Sequence, residues 1–462
     1  MIAVIGAGPA GLAAAWRAAR AGRDVVVLER APVVGGMARS FEIGGGFRVD
    51  HGSHRLHPAT PPHILGALRG LLGDELQVRR RNGRILMHDR WLAFPLRPGD
   101  LLRNAPRGFT LRAVRDTLTG PVRRAKADTF AEVIRAGLGP AVLHEFYGPY
   151  AHKLWDTAPD ELAGELARRR VSAATPIDIL RRLVSGARPE GRTFLYPRTG
   201  FGAIVEALAD AAVAAGATIR LGCGLERLRA AGNGSAGWTL GLVDGAQLDA
   251  AQVWSTLPPA VLATMIDPAP PIEARHAAAH LQHRAMVLLY LVLGRVRWTP
   301  FDAHYFPGPE VMASRISEPR NYRDNPDDPD GETVICAEIP CWRGDALWQA
   351  PDSLLAERLA AELARVGVAP GRPLHVESRR LPRVYPVYRP GFSDDLAAFE
   401  AWAGSLEGLV TFGRQGLFTP DNTHHALAMG WAVADAWASP TQSAGSSWAS
   451  SRQRFRSFVV ED

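Results

Sequence analysis

The sequence predicts an α/β fold in which a parallel sheet is interleaved with a mostly antiparallel sheet and a helical insertion. Two observations predict the parallel sheet: an apolar run, a glycine-rich turn and an alanine-rich helix open the chain, and a second apolar run follows directly. A third observation, strand-like runs that return after a long helical stretch, predicts that the chain leaves this domain and re-enters it. The 462 residues, 47% of them hydrophobic, suffice for two or three domains.

The first predicted unit is a strand, a helix and a second strand. Residues Ile2 to Ile5 form a short apolar run, Pro9 to Ala21 are rich in alanine, and Asp24 to Leu28 are rich in valine. Short apolar runs bounded by turns are typical of parallel strands that are buried on both faces. We therefore expect a Rossmann-type β-α-β unit at the start of the chain.

Three glycines lie between the first predicted strand and its helix. Gly6, Gly8 and Gly11 have the spacing G-x-G-x-x-G, which permits a tight turn and lets backbone N–H groups approach a pyrophosphate at the helix N-terminus. Glu29 ends the second strand, where a carboxylate accepts hydrogen bonds from ribose hydroxyls and repels a 2′-phosphate. The spacing predicts an adenine dinucleotide at this loop.

The later segments predict how the domains are divided. The nucleotide-binding domain is expected to comprise residues 1–58, 191–260 and 405–438, with strands that include residues 218–221, 238–243 and 252–255. Residues 59–190 have a mostly helical pattern and are assigned to an insertion that covers the substrate. Residues 261–404 are assigned to a substrate-binding domain with strands at residues 285–293 and 333–339. The tail, residues 439–462, is rich in Ser, Gly and Gln and is predicted to be flexible.

Composition argues against several partners. The formal charge is +6 and the pI is near 9.5, but Lys126 and Lys153 are the only lysines and the arginines are spread along the chain, so no nucleic acid is expected. Cys223, Cys336 and Cys341 are too few and too irregularly spaced for a disulfide framework or a cysteine-based metal site, which indicates a reduced, cytoplasmic setting without metal. No apolar run reaches the roughly 20 residues that span a bilayer.

The stretch from Glu29 to Ser40 contains the paired Gly35 and Gly36, followed by Arg39. It resembles the flavin-type loop of the amine oxidase and protoporphyrinogen oxidase superfamily. The resemblance implies a GR2-type flavoprotein in which the glycines let the chain pass close to the diphosphate and ribityl chain of FAD, with the arginine above it. Because the cysteines lack the surroundings of a covalent flavin link, we expect FAD to be bound non-covalently.

Four later segments narrow the resemblance. Residues Gly52 to Pro58 resemble the histidine loop of UDP-galactopyranose mutases and of a related group of uncharacterised oxidoreductases, and Phe146 to Trp155 resemble an aromatic helix of both groups. Ser314 to Tyr322 resemble an arginine segment of the mutases, and Gly413 to Phe418 resemble a segment that holds the flavin end of FAD. Phe418 to Asn422 replace the mutases' tyrosine-rich stretch, which argues against UDP-galactose as the substrate.

These arguments predict a set of site residues. The residues expected to bind the cofactor lie in the glycine-rich segments, the histidine loop, one later strand and the start of the last helix: Gly6, Gly8, Pro9, Ala10, Gly11, Glu29, Arg30, Gly35, Gly36, Met37, Ala38, Arg39, Gly52, Ser53, His54, Leu225, Gly413, Arg414, Asn422 and Thr423. Asn422 is expected to cap the last helix, whose dipole would stabilise negative charge on a reduced flavin. The side chains expected to contact substrate are Tyr150, Trp155, Arg315 and Tyr385.

The candidate catalytic residues are His54, His57 and Arg315. A histidine can exchange a proton near neutral pH, although either one can instead pack or cap a turn, and the resemblance implies that the backbone of His54 meets the flavin. Arg315 can stabilise a reduced flavin or clamp an anionic substrate, and its alternative is a surface ion pair with Glu318.

Three functions remain open at this point. The first is an FAD-dependent oxidoreductase that transfers a hydride from a small or sugar-like metabolite to flavin N5. The second is a non-redox isomerase of the mutase type, which would act on a sugar nucleotide. The third is a flavin-bound structural or sensor subunit. The expected partner in both enzyme hypotheses is a small molecule, either an anionic metabolite or a sugar nucleotide.

Overall fold

A parallel sheet of five strands lies at the centre of the computed structural model, which describes residues 1–119, 127–171, 192–230, 237–438 and 444–460. In spatial order the strands are Leu409–Thr411, Gln252–Ser255, Ile2–Ile5, Val25–Leu28 and Thr218–Arg220. All neighbouring pairs are parallel, which confirms the predicted α/β fold. Ile2 and Val4 contact one apolar core and Ala3 and Ile5 another, so both faces of the sheet are covered.

Two helices begin at one edge of this sheet. The helix Pro9–Arg20 follows the first strand, and it packs against the closing helix Thr423–Ala438, which follows the strand Leu409–Thr411. Small residues permit the close packing, because a Cβ atom at Gly430 would lie 2.3 Å from the carbonyl oxygen of Ala10. Both helices start at the carboxyl edge of the parallel strands, which is where open α/β sheets bind their ligands.

A smaller sheet covers one face of the parallel sheet. Its strands, in spatial order, are Gln247–Ala250, Trp238–Leu242, Leu225–Ala230 and Ile266–Asp267. Leu228 and Leu240 belong to the same core as Ala3 and Ile5. The strand expected at residues 238–243 is therefore present, but it pairs in this smaller sheet rather than in the parallel one.

A seven-stranded sheet forms the second half of the molecule. Its order is His375–Pro386, His283–Leu293, Thr333–Cys341, Arg315–Ser317, Ala303–Tyr305, Gly83–Met87 and Arg90–Phe94. Every neighbouring pair is antiparallel except the pair between Ala303–Tyr305 and Gly83–Met87. Both faces of the strand His283–Leu293 are buried, because Val287 and Leu289 contact one core while Met286 and Leu288 contact another. The predicted mostly antiparallel sheet is confirmed.

The insertion is less helical than its sequence pattern predicts. Leu76–Arg80 pairs with Thr193–Pro197, and the hairpin Gly83–Met87 and Arg90–Phe94 extends the seven-stranded sheet. The expectation of a helical segment is therefore wrong for residues 76–94. These strands are short, and two of them are held by pairing with residues more than a hundred positions away, which a local pattern does not reveal.

The other described helices and one hairpin surround these sheets. In the insertion the helices are Pro62–Leu72, Pro98–Asn104, Arg107–Thr119, Phe130–Leu138, Pro140–Val142, Gly148–Trp155 and Gly164–Arg170, with a π-helical turn at Leu143–Tyr147. Elsewhere they are Ala203–Ala214, Pro259–Met265, Ile272–His280, Ala346–Gln349, Asp352–Arg365, Phe392–Ser405 and Gly413–Gly416. The hairpin consists of Ser40–Ile43 and Phe47–Asp50. Residues 172–190 of the predicted insertion lie outside the described residues.

The predicted flexible tail contains a packed helix. Ala444–Arg456 is helical, and Trp448 and Phe455 are buried in the same core as the closing helix. The backbone N–H of Val460 donates to the carbonyl oxygen of Arg169, which ties the tail to the insertion. Composition suggested disorder, but two large apolar side chains seven residues apart give this short helix a face to bury. Residues 439–443 and 461–462 of the tail are outside the described ranges.

The described ranges contain neither a membrane-spanning helix nor a metal-ligand cluster. Each helix in this part of the chain is too short or too polar to cross a bilayer. Cys223, Cys336 and Cys341 are buried free thiols, and the described residues contain no group of three or more metal-ligating side chains.

Candidate functional site

A cavity of about 460 Å³ opens at the carboxyl edge of the parallel sheet and extends to the antiparallel sheet. Most of the predicted site residues line it: Gly6, Gly8, Pro9, Ala10, Gly11, Glu29, Arg30, Gly36, Met37, Ala38, Gly52, Ser53, His54, His57, Tyr150, Arg315, Tyr385, Gly413, Arg414, Asn422 and Thr423. Gly35, Arg39, Leu225 and Trp155 are not among its lining residues. The predicted cofactor and substrate groups therefore meet in one cavity.

The four residues outside the lining have structural roles. Gly35 has a φ of +110°, and a Cβ there would lie 2.7 Å from the Cβ of Arg39. Arg39 donates a hydrogen bond to the ring of His51, which does line the cavity. Leu225 begins a strand of the smaller sheet and is buried in its core, and Trp155 is buried in the core of the insertion.

The glycine loop combines one position that the fold requires with one that it does not. A Cβ at Gly11 would lie 2.0 Å from the carbonyl oxygen of Gly6, so the tight turn itself excludes a side chain there. Gly8 has ordinary extended φ and ψ angles of −82° and −178°, and among the described residues no atom lies within 4 Å of its Cβ position. The open space beside Gly8 belongs to the cavity, which is the arrangement expected where a ligand approaches the backbone.

Glu29 links the two loops that border this space. Its Oε2 accepts a hydrogen bond from the backbone N–H of Ala7 at 2.8 Å, and its Oε1 accepts one from Ala31 at 2.8 Å. The loop of paired glycines lies against the first loop, since a Cβ at Gly36 would be 3.3 Å from the Cα of Gly8. The carboxylate is thus held by the backbone while it remains on the cavity wall.

The histidine loop is braced by its own rings. His54 Nε2 lies 2.9 Å from the carbonyl oxygen of His51, so it carries the proton, and the ring stacks on Phe201. His57 Nδ1 accepts a hydrogen bond from the backbone N–H of Ala59, which leaves the proton of its neutral form on Nε2. Burial lowers the pKa of His54 and lowers the pKa of His51 to about 3, so both rings are neutral at pH 7.

Asp50, which the sequence analysis did not select, anchors this loop. Its carboxylate accepts hydrogen bonds from the hydroxyls of Ser40 and Tyr196 and from the backbone N–H of Phe201. Its carbonyl oxygen accepts one from the hydroxyl of Tyr290 on the antiparallel sheet. Asp50 therefore holds the histidine loop to both halves of the molecule, through its carboxylate on one side and its backbone carbonyl on the other.

Arg315 forms its ion pair with Glu338, and not with Glu318 as the alternative hypothesis proposed. The two residues are directly opposed on adjacent antiparallel strands, and Arg315 Nη2 lies 2.7 and 2.9 Å from the two carboxylate oxygens. Glu318 is buried elsewhere and accepts hydrogen bonds from the backbone N–H groups of Trp298 and Thr299. Burial alone would lower the pKa of Arg315, but Glu338 raises it well above the usual value, so the guanidinium is always charged.

Arg414 lies where the closing helix begins. Its Nη1 donates to the carbonyl oxygen of Asp421 and its Nη2 to that of Val384 on the antiparallel sheet. Burial lowers the pKa of Arg414, and the neighbouring Arg170 lowers it further. Asn422 immediately precedes the closing helix, and its carbonyl oxygen accepts the backbone N–H of Ala426. The start of this helix is therefore fixed beside the cavity.

Aromatic and basic side chains form the other end of the cavity. The guanidinium of Arg170 lies 5.3 Å from the ring centre of Tyr385 and 5.7 Å from that of Trp155. The guanidinium of Arg315 lies 5.9 Å from the ring centre of Tyr305. These contacts leave the hydrogen-bonding groups of Arg170 available, because within the described ranges this side chain makes only ring contacts.

Sequence reasoning missed several lining residues. They are His51, Arg55, Arg81, Arg170, Thr256, Leu257, Met286, Tyr305, Ser314, Glu338, Leu381, Val384, Gln415, Asp421 and Ala426. Two of them had a usable signal. Glu338 is an acidic residue inside an apolar strand, and Thr256 directly follows a parallel strand at its carboxyl edge, where binding residues concentrate. The others come from strands and loops that only the tertiary structure brings together.

The cavity wall fits a polar ligand. Several buried polar atoms on it have no hydrogen-bond partner in the described part of the chain: His51 Nδ1, Ser53 Oγ, Arg414 Nε and Gln415 Oε1. Buried polar groups are nearly always satisfied in proteins, so these atoms favour a ligand with both donors and acceptors. Together with the open space at Gly8 and the carboxylate of Glu29, the residues present fit an adenine dinucleotide.

The chain is similar to known proteins in sequence and in structure. The family model described as flavin containing amine oxidoreductase matches residues 9–395. A phytoene dehydrogenase from Streptomyces griseus is 31% identical over an alignment of 271 residues that covers 50% of each chain, and a D-amino acid dehydrogenase from Dechloromonas aromatica (strain RCB) is 40% identical over 74 residues that cover 16% of each. The match thus spans half or less of the length of these curated relatives.

Two solved structures share the fold over nearly the whole chain. A reduced UDP-galactopyranose mutase has a TM-score of 0.81 and 18% sequence identity, and the match covers 99% of this chain and 98% of that one. A protoporphyrinogen oxidase-like protein from Exiguobacterium sp. 255-15 has a TM-score of 0.73 and 19% identity, with 95% and 98% coverage. At these identities the likeness establishes the fold and leaves the reaction to be argued from the site.

Proposed function

Because this chain belongs to the family of flavin containing amine oxidoreductases, we propose that it is an FAD-dependent oxidoreductase acting on a small or sugar-like metabolite. When bound, the flavin would supply the hydride acceptor, at its N5 atom. The chain's own residues bind, orient and shield the reactants. The observation that carries the proposal is the open approach to the backbone at Gly8, beside a carboxylate at Glu29 that can receive ribose hydroxyls.

The N-terminus of the first helix is assigned to the diphosphate. The backbone N–H groups of Ala10 and Gly11 lie in the first turn, where a helix offers them no carbonyl partner and its dipole adds positive charge. Glu29 would accept the ribose hydroxyls, since each carboxylate oxygen can accept a further hydrogen bond beside those from Ala7 and Ala31. We expect non-covalent binding, because all the cysteines are buried free thiols.

The flavin end is assigned to the start of the closing helix and to the histidine loop. The helix that begins at Thr423 would stabilise negative charge on a reduced ring through its dipole. Ser53 Oγ and Gln415 Oε1 would bind polar edges of the ring, because both are buried on the wall and lack a partner in the described chain. Arg414 would hold this corner in place through its bonds to the carbonyls of Asp421 and Val384.

The substrate is proposed to be anionic. Six arginines but only three acidic residues line the cavity: Arg30, Arg55, Arg81, Arg170, Arg315 and Arg414 against Glu29, Glu338 and Asp421. A cleft with this balance concentrates negatively charged molecules. Arg315 uses Nε and Nη2 for Glu338 and Ser53, so Nη1 remains for a substrate, and Tyr150 and Tyr385 would pack against its apolar part.

The two histidines have different proposed roles. His54 donates its ring N–H to a backbone carbonyl and is neutral, which suits a residue that positions the loop against the flavin. His57 lines the cavity with its proton on Nε2, so it remains the candidate proton donor. Its ring stacks on that of His424, with centroids 5.6 Å apart, which fixes its orientation.

A mutase-like isomerase is the second candidate. The observation in its favour is the arginine segment at Arg315, which resembles that of the mutases and lines the cavity. The segment Phe418 to Asn422 weighs against it. This segment contains no tyrosine and so offers no phenol to a nucleotide. Its side chains are engaged elsewhere, because Phe418 is buried against the ring of Tyr388 and Asp421 forms an ion pair with Arg169 at 2.9 Å.

One anaerobic experiment separates the candidates. Purified holoprotein is mixed with a panel of small carboxylates, amines and sugar nucleotides, and the visible absorption of the oxidised flavin is followed. Substrate-dependent bleaching supports the oxidoreductase. Isomerised product that forms only with pre-reduced enzyme, and without net reoxidation, supports the mutase. A protein that is colourless and does not take up added FAD would overturn the cofactor assignment and both reactions with it.

A further inference from the structure

The excess positive charge is concentrated in one segment. Although arginines occur along the whole chain, residues 91–126 contain eight basic and only two acidic residues, and this difference equals the formal net charge of the entire chain, +6. Outside this segment, basic and acidic residues are equal in number. The described part of the segment contains the helices Pro98–Asn104 and Arg107–Thr119, which lie far from the parallel sheet in sequence and belong to the insertion.

The acidic residues of this segment are already engaged. Asp100 accepts hydrogen bonds from the backbone N–H of Ala93 and from the side chain of Asn104. Asp116 has a side chain only 7% exposed and accepts the backbone N–H of Ala141. By contrast, Arg97, Arg103 and Arg107 are exposed, and their side chains form no hydrogen bond or ion pair with the described chain. The outward charge is therefore uncompensated.

Large apolar side chains protrude among these arginines. Leu111 is 72% exposed, Val114 is 52% exposed and Leu96 is 42% exposed. Leu111 follows Arg107 by four positions and precedes Val114 by three, so these residues share one side of the helix Arg107–Thr119. Single exposed apolar residues are common, but three among exposed arginines form an amphipathic surface. We call Leu96, Arg97, Arg103, Arg107, Leu111 and Val114 the basic-apolar surface.

The helices that carry this surface pack against the hairpin Gly83–Phe94. Phe109 and Leu101 pack with Met87 and Leu92, so both helices share one small core with the hairpin Gly83–Phe94. Glu145 on the π-helical turn accepts hydrogen bonds from His88 on the hairpin and from Arg112 on the second helix. These contacts hold both helices against the hairpin, so the exposed side chains project from a packed unit.

A second cavity lies within the same unit. Its volume is about 360 Å³, and its polar walls include Arg84, Arg97 and Arg103. The one carboxylate on its wall, that of Asp100, is already bound by the backbone N–H of Ala93 and the side chain of Asn104. The guanidinium of Arg84 lies 4.2 Å from the ring centre of Phe301. Three guanidinium groups around one recess suit a phosphate, because each can donate charge-assisted hydrogen bonds to its oxygens.

We propose that the basic-apolar surface docks this protein onto an anionic phospholipid bilayer, with Arg84, Arg97 and Arg103 receiving a lipid phosphate and Leu96, Leu111 and Val114 entering the acyl boundary. An amphipathic helix with arginines and leucine binds such an interface through burial of its apolar side chains and through electrostatic attraction to anionic lipids. A nucleic acid also attracts arginines, but protruding aliphatic side chains contribute nothing to a contact with its phosphate backbone. The surface is separate from the flavin cavity, so this inference does not depend on the proposed reaction.

Vesicle sedimentation tests the proposal with the full-length holoprotein. We expect binding to vesicles that contain phosphatidylglycerol, at least tenfold weaker binding to pure phosphatidylcholine, and a decrease with added salt. The variant Arg103→Glu/Arg107→Glu should bind these vesicles about tenfold more weakly, or less still. The variant Leu111→Ser/Val114→Ser should also bind more weakly, and its defect should be largest at high salt, where the electrostatic attraction is screened. The matched control, Arg275→Glu/Arg372→Glu, makes the same charge change at exposed arginines elsewhere and should bind as the wild type does.

Retained flavin absorption in every variant shows that a loss of vesicle binding is not a loss of folding. The proposal is overturned if the wild type ignores phosphatidylglycerol vesicles at low salt, or if the control variant loses as much binding as the surface variants. It is also overturned if the serine variant binds unchanged while the glutamate variant abolishes binding to a DNA duplex, because the surface would then serve a nucleic acid.

Discussion

Arg315 and Glu338 face each other across two antiparallel strands, and the carboxylate of Glu338 also accepts the backbone N–H of Ser53 at 2.8 Å. One ion pair thus joins the antiparallel sheet to the histidine loop. The Glu338 side chain is only 4% exposed, and that of Arg315 is 22% exposed. Removing either partner leaves a largely buried charge without its counterion, which is costly.

We expect this pair to be strongly coupled. In a double-mutant cycle with Glu338→Gln and Arg315→Met, the interaction should stabilise the fold by about 1–3 kcal/mol, measured by urea unfolding. The more exposed pair Arg229–Asp267 provides the control, and Arg229→Met with Asp267→Asn should give a coupling below about 1 kcal/mol. Equal coupling energies for the two pairs would contradict the inference that burial of Glu338 makes its pair with Arg315 strong.

Two glycine substitutions should differ in their effect on folding. Gly8→Val places a side chain in open space at an ordinary φ, so the protein should fold but purify without flavin absorption. Gly11→Ala forces a methyl group against the carbonyl of Gly6, so it should lower the melting temperature strongly as well. Gly66→Val, on a helix surface with open space, controls for the β-branched residue. A Gly8→Val protein with a full flavin complement would disprove the diphosphate assignment.

Buried histidines should make the fold sensitive to acid. Burial lowers the pKa of His304 to about 3 from an unfolded value of 6.5, so between these limits only the unfolded state binds the proton. The contribution of this histidine to the free energy of unfolding is therefore fully present above about pH 6.5. As the pH falls below that value, the free energy of unfolding decreases by about 1.4 kcal/mol per pH unit for this histidine. Burial lowers the pKa of His51 and His283 to about 3 as well, which adds to the slope.

The variant His304→Phe isolates the contribution of one ring. His304 lies among the rings of Trp91, Trp298 and Phe301, which an aromatic replacement can keep in contact. Between about pH 7 and about pH 5, the variant should lose about 2 kcal/mol less than the wild type in urea unfolding. Parallel pH profiles for the two proteins would show that His304 is protonated in the folded state.

The helix Ala444–Arg456 should stabilise the whole protein. Trp448 is 5% exposed and packs in the core of the closing helix, so Trp448→Ala should cost about 3–5 kcal/mol. Ser450→Ala, an exposed change on the same helix, should cost less than about 0.5 kcal/mol. Thermal unfolding followed by circular dichroism measures both. If the two variants unfold at the same temperature, the helix is not packed as described and the prediction of a flexible tail is correct.

Sequence reasoning succeeded where the signal is local. The run from Ile2 to Glu29 contains a complete β-α-β unit, and each element of it was predicted within one residue at each end. Periodicity also located the central antiparallel strands. It failed for the hairpin Gly83–Phe94 and for the helix Ala444–Arg456, because both are stabilised by partners distant in sequence.

The sequence by itself determined the fold class and the glycine-rich loop that follows the first strand, because a glycine spacing, a carboxylate and two apolar runs interact over fewer than thirty residues. Only the tertiary structure decided what surrounds that loop. Glu338 instead of Glu318 as the partner of Arg315, the anchoring of the histidine loop by Asp50 and the arginines at the far end of the cavity all depend on strand register and sheet packing. Register is set by contacts among residues far apart in the chain, which no local pattern encodes.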